Sequence, residues 1–187
     1  MVSAARTREY TKGQISGQVW VGIDPSLTGF SVSAVDSRGG YASWVYTSNL
    51  KGVERMLAIE AWLKTRLEII GKDRIMDVAI EAPVIRTMNA TNAGMLHGML
   101  QRVIYQELGH LKPLVVPPMS LKKYTSGTGK AEKSLMLKSV YQRWDADLDD
   151  DNAADSYALA RFVMKSPGTK EQEAVMMKIH QDPKHRA

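Results

Sequence analysis

Asp24, Glu81, Asp151 and Asp155 are the residues of this chain best suited to chemistry. Asp24 closes the apolar run VWVGID (residues 19–24) and Glu81 closes MDVAIE (76–81), while Asp151 and Asp155 lie in DDDNAADSYALA (149–160). A carboxylate set directly after a buried run is costly to hold unless it is paired or binds a cation. Acids of this kind from three distant stretches predict one shared site for divalent metal. Hard cations take oxygen ligands, and magnesium in particular binds through a few carboxylates together with water and phosphate. Two such ions about 4 Å apart can grip a phosphodiester from both sides. The chemistry expected is metal-dependent phosphodiester hydrolysis.

Strand ends suit the task because rigid elements hold ligands accurately. Asp151 and Asp155 stand four apart and so share one side of a helix, and Asn152 with Asp155, three apart, forms a second usable pair. Ala153 and Ala154 beside Asp155 allow that helix to approach a sheet closely. Each acid alone has a plainer reading. Asp24 before Pro25 can start a turn, Glu81 can pair with Arg86, and Asp149–Asp151 can be a solvated cluster favoured by a helix N-terminus. Their joint occurrence, in this order of elements, favours the site.

The elements that must position these acids follow from periodicity and turn residues. Apolar runs at 19–23, 30–35 and 41–47, separated by Pro25–Gly29 and Asp36–Gly40, predict an antiparallel meander. Val53, Met56, Leu57, Leu63, Leu67 and Ile70 recur at helical spacing until Gly71 stops the helix. A fourth strand is expected at 75–80, a helix at 89–108, and a short fifth strand at 114–116. Helices near 131–144, 152–164 and 170–180 complete the chain. The order β-β-β-α-β-α-β-α-α predicts an α/β fold: a mixed five-stranded sheet with helices on both faces. Residues 1–17 are expected to be a flexible N-terminal arm, 18–165 the main domain, and 166–187 a C-terminal helix and tail.

The net charge of +5 suits a polyanionic partner without requiring one. The absence of cysteine excludes disulfides and Cys-based zinc sites. No apolar stretch approaches the roughly 20 residues that cross a bilayer, so no membrane association and a cytoplasmic location are expected. Positive charge concentrates between residues 121 and 143, where Lys122, Lys123, Lys130, Lys133, Lys138 and Arg143 face the single acid Glu132. Gly127 and Gly129 would let backbone amides approach phosphate. Such a segment binds a DNA backbone without reading its sequence, and Lys122 or Lys133 near the metals could stabilise charge developing on phosphorus. A nucleotide-binding P-loop fails here, because Tyr124 and Ala131 occupy positions where it needs Gly and Ser or Thr. His97 is expected on a helix surface or at an interface.

GIDPSLTGFSV (22–32), IEAP (80–83), GTGKAEKS (127–134) and DDNAADSYALA (150–160) together resemble the RuvC-like Holliday-junction resolvases of the ribonuclease H-like nuclease superfamily. The resemblance covers about residues 19–164, and the divergent connecting segments look most like a virus-encoded member. It implies a ribonuclease H-like fold and a metal-dependent, structure-selective endodeoxyribonuclease that cuts Holliday junctions and other branched DNA, flaps and replication forks included. It also implies two Mg2+ or Mn2+ ions per active site, 5′-phosphate and 3′-hydroxyl products, and a homodimer. By position, Asp24, Glu81 and Asp155 match catalytic metal ligands. A fourth ligand position falls on Asn152, where relatives carry Asp or His, so Asp151 is the alternative. Lys133 and Lys122 match the family's basic residues. With Lys123, Lys130, Lys138 and Arg86 they form the expected DNA-binding set. Val84 stands where relatives place a wedge-like aromatic. Other readings are a ribonuclease H acting on hybrids, an actin-like ATP-binding domain, and a junction-binding module whose catalysis has decayed.

Overall fold

A computed structural model describes residues 5–83 and 90–186 of the chain. Val84 and Arg86 lie outside the described residues. The elements run β1 (Arg6–Lys12), β2 (Val19–Asp24), β3 (Phe30–Asp36), β4 (Tyr41–Thr47), α1 (Gly52–Ile70), β5 (Ile75–Glu81), α2 (Ala90–Glu107), β6 (Leu114–Val116), α3 (Pro118–Ser126), α4 (Lys133–Trp144), α5 (Asp151–Val163) and α6 (Lys170–Gln181), with short 3₁₀ turns at Lys72–Arg74 and Pro183–His185.

One mixed sheet has the order β1-β4-β3-β2-β5-β6. The meander β2-β3-β4 is antiparallel, and β5 and β6 join β2 in parallel through helical crossovers. The sheet therefore has six strands rather than five. The added one is β1, which pairs along its whole length with β4, from Arg6 opposite Thr47 to Lys12 opposite Tyr41. The expectation of a flexible arm is corrected for these residues. The strand has no apolar face because it lies on the sheet edge, and its Arg6, Arg8, Glu9 and Lys12 blunt that edge against further pairing.

Helices cover both faces. On one side Ile59, Leu63 and Leu67 of α1 and Leu96, Leu100 and Val103 of α2 pack with Val21, Ile23 and Ile80. On the other, Tyr157 and Phe162 of α5, Tyr124 of α3 and Met136 and Val140 of α4 pack with Val35, Val45 and Ala79. Gly71 ends α1 at φ 89°, its N–H reaching the Leu67 and Glu68 carbonyls. The C-terminal helix is docked. A capping box between Thr169 and Gln172 starts α6, and the His180 ring stacks on Phe162 with centroids 5.7 Å apart. Beyond α6, Arg186 donates two 2.7 Å bonds to the Asp77 carboxylate on β5. Among the described residues, no helix is long and apolar enough to cross a membrane.

Candidate active site

The parallel register of β2 and β5 places Ile23 beside Ile80. The next residues, Asp24 and Glu81, thus leave neighbouring strands at the same sheet end. Side chains alternate along a strand, so both acids share the face of Gly22 and Ala79, onto which α5 packs. They line a cavity of about 400 Å³ together with Ser26, Pro83 and Asn152.

The helix carrying Asp151 and Asp155 lies unusually close to this sheet. A Cβ at Gly22 would stand 2.0 Å from the Ser156 carbonyl oxygen and 2.4 Å from the Ala160 nitrogen. Glycine is what lets the backbones meet. Ala153, Ala154, Ala158 and Ala160 are fully buried in the contact. Two polar bonds fix the helix along its axis. The Ser33 and Ser156 hydroxyls meet at 2.7 Å, and the Ser31 hydroxyl donates to the Asn152 carbonyl at 2.6 Å. The helix starts at Asp150, whose carboxylate accepts from the Asn152 and Ala153 N–H groups at 2.9 and 3.3 Å.

Five acids consequently share one electrostatic field. Asp24 is only 6% exposed. Burial, then the charges of Glu81, Asp155, Asp151 and Asp150, raise its pKa well above the usual carboxylate range. Burial and the Asp155 charge push Glu81 up to about 7, against relief from Lys122. Asp155 is pushed up to about 6 by burial, with Asp151 raising it while Lys122 and Lys133 pull it down. Like charges held this way are strained without a cation. Among the described residues no three His, Asp or Glu side chains are already closed into a coordination shell. The donor chemistry fits hard divalent ions, since all the candidate donors are oxygens.

The structure also sorts the lysines. Lys122, on α3, faces Glu81 and Asp155 closely enough to act on both, and Lys133 at the start of α4 forms an ion pair with Asp151. These two belong to the acid cluster. Lys123 and Lys130 instead border a separate cleft, and Lys138 is exposed on α4. Arg143 is structural: its guanidinium sits 4.3 Å from the Trp144 ring centre and donates to the Thr125 carbonyl at 3.2 Å. Gly127 has its own structural reason, capping α3 at φ 83° with its N–H on the Lys123 carbonyl. That amide is taken, so of the two glycines expected to offer amides to phosphate Gly127 does not. His97 is buried rather than superficial, bonded through Nδ1 to the Gln101 amide at 3.1 Å.

Sequence reasoning missed three contributors. Asp150 is both the helix cap and part of the field on Asp24. Helix α3, which presents Lys122, is capped by Pro117 and begins at Pro118, and proline in a first helical turn was the available signal. The third is a tether from β1. Arg8 reaches Asp149 and Asp150 at 3.4 Å each, the Tyr10 hydroxyl donates to Asp149 at 2.5 Å, and Lys12 pairs with Asp145. The edge strand thereby holds the acidic loop that leads into α5.

No protein-family model and no curated protein matches the chain. Among solved structures, that of T. thermophilus RuvC in complex with Holliday junction substrate is similar at TM-score 0.61 and 23% identity, over 76% of this chain and 90% of that one. A second Thermus thermophilus RuvC structure is similar at TM-score 0.61 and 20% identity, over 90% of this chain and 98% of that one. The fold is thus RuvC-like, in agreement with the ribonuclease H-like architecture expected from the motifs.

Proposed function

We propose that the chain is a metal-dependent endonuclease acting on branched DNA, four-way junctions above all. The observation that carries this reading is the convergence of Asp24, Glu81 and Asp155 at one sheet end, each with a raised pKa. Asp24, Glu81 and Asp155 would hold magnesium or manganese, with Asn152 or Asp151 completing the set. Ions in such a site neutralise charge at the scissile phosphate and acidify water.

The chain's own residues do the rest. Asp24, fixed at the end of a central strand, offers the most deeply buried carboxylate of the set. Lys122 keeps Glu81 and Asp155 closer to ionisation than burial alone would allow, and in this reading its ammonium stabilises the charge that develops on the phosphoryl oxygens. Lys133 is 80% exposed and bound to Asp151, so it can exchange that carboxylate for a DNA phosphate. Asn152 faces the same cavity as Asp24 and Glu81 and adds a neutral oxygen. A homodimer is part of the proposal, with the outer face of α2, where Met95 and Tyr105 are exposed, as the contact.

Cleavage assays on four-way, flap and RNA–DNA hybrid substrates under one set of conditions test the substrate class. Asp24→Asn is expected to abolish cutting while junction binding persists. Full cutting by that variant removes Asp24 from the mechanism, and cleavage confined to hybrids replaces the junction reading with a ribonuclease H one.

A further inference from the structure

A second concave surface lies away from the acid cluster, between α3, the Gly127–Lys130 loop, α6 and the Pro183–His185 turn. It is a cleft of about 780 Å³. Its floor is apolar, formed by Pro117, Met119, Val175 and Ile179, and its border carries Lys123, Lys130, Lys178 and Lys184. All four lysines are exposed. Acids touch it only at the margin: Glu171 feels the Lys123 charge, and Asp182 pairs with Lys184 at 2.6 Å. Met119 is 67% exposed, so its side chain is accessible to a molecule seated in the cleft.

We infer that this cleft binds an unpaired stretch of the substrate's DNA strand, phosphates on the lysine border and sugars and bases on the apolar floor. The inference rests on the nuclease reading. Its volume is in the range that takes a small organic ligand, which suits one or two nucleotides and not a duplex. Its chemistry fits as well. A phosphate alone needs no apolar floor, and an apolar peptide needs no ring of lysines. A single strand presents both anionic and flat apolar surfaces at short repeat. Proteins that bind it without reading sequence meet these with a basic groove and stacking platforms, and in this cleft Pro117, Met119 and the His185 ring stand in for the platforms. Continuity with the acid cluster follows from α3. Lys122 faces Glu81 and Asp155, while its neighbour Lys123 borders the cleft. A strand leaving the scissile phosphate along α3 passes from one lysine to the next.

The test uses the full chain with labelled oligo-dT and a duplex of equal length, read by fluorescence anisotropy over a salt series without divalent metal. Lys178→Gln/Lys184→Gln is expected to weaken oligo-dT binding about tenfold at 0.15 M salt and to flatten the log–log salt slope by about 1.4, as for two lost single-strand phosphate contacts. Met119→Ser should weaken oligo-dT binding with no change in that slope. A charge-matched pair on the opposite side of the sheet, Lys64→Gln/Lys72→Gln, should shift binding far less. Equal losses on duplex and single strand would overturn the unpaired-strand assignment, as would unchanged oligo-dT binding by the cleft variants. Displacement of oligo-dT by polyglutamate at equal charge concentration would overturn it too. A wild-type protein that binds oligo-dT through the cleft but cuts no branched substrate would sink the nuclease reading and leave the cleft standing.

Discussion

Replacing Glu81 by glutamine removes a charge that the metal-free protein holds at a disadvantage. Its carboxyl is raised from the ordinary 4.5 to about 7, chiefly by burial and then by Asp155. The folded state therefore keeps a proton between those limits that the unfolded chain has already lost. Stability falls as pH rises through that window. At 1.36 kcal/mol per unit, the shift amounts to about 3 kcal/mol above pH 7 and vanishes below pH 4.5. Glu81→Gln, neutral at every pH, escapes the penalty. In chelator, the variant should match the wild type near pH 4.5 and melt about 6–12 °C higher at pH 8, using about 2–4 °C per kcal/mol for a chain of this size. Magnesium should narrow that difference, because binding at 100 times Kd adds about 2.7 kcal/mol to the wild type and less to the variant. Melting curves at several pH values, with and without metal, read both effects. A variant no more stable than the wild type at pH 8 in chelator would refute the claim that burial, together with the Asp155 charge, holds an ionised Glu81 at a disadvantage in the folded state.

Three further outcomes follow from named contacts. Gly22→Ala puts a methyl 2.0 Å from the Ser156 carbonyl oxygen, so it should cost about 3 kcal/mol and reduce cutting more than Ala→Gly changes elsewhere; denaturant melts showing wild-type stability would contradict the close approach. Lys122→Gln removes the cation that favours ionised Glu81 and Asp155, so the acid limb of the cleavage pH profile should move to higher pH, and an unmoved limb would place Lys122 elsewhere. Arg186→Ala breaks the two-pronged bond to half-buried Asp77 and should lower stability by about 1 kcal/mol. Hydrogen exchange should then quicken in the Pro183–His185 turn, and unchanged exchange would mean the turn is held without it.

The central part of the site was legible because Asp24 and Glu81 end apolar runs, and two adjacent parallel strands leave little freedom in where such residues go. Asp155 was legible through the alanines beside it. Other parts left weaker marks. Strand β1 has polar residues on both faces, so period-two alternation of hydrophobicity is absent, and only its pairing with β4 makes it a strand. Helix α3 hides behind a proline pair that reads equally as the end of β6 and the start of a helix. In the run Asp149–Asp151, three identical side chains divide into a tether partner, a cap and an ion-pair partner, a division set by where each falls relative to the first turn of α5. Gly127 shows the opposite error, since a glycine that can approach phosphate can also end a helix, and here it does the latter.

The dependence of the acid cluster on Gly22 and α5 bears on the order in which the chain is made. Asp24 and Glu81 emerge from the ribosome well before the helix that brings Asp155. A nascent chain that has reached only β6 carries two isolated carboxylates and a sheet whose α5-facing side is bare. Under the nuclease reading, catalytic competence then arrives late, when one helix closes over a single glycine.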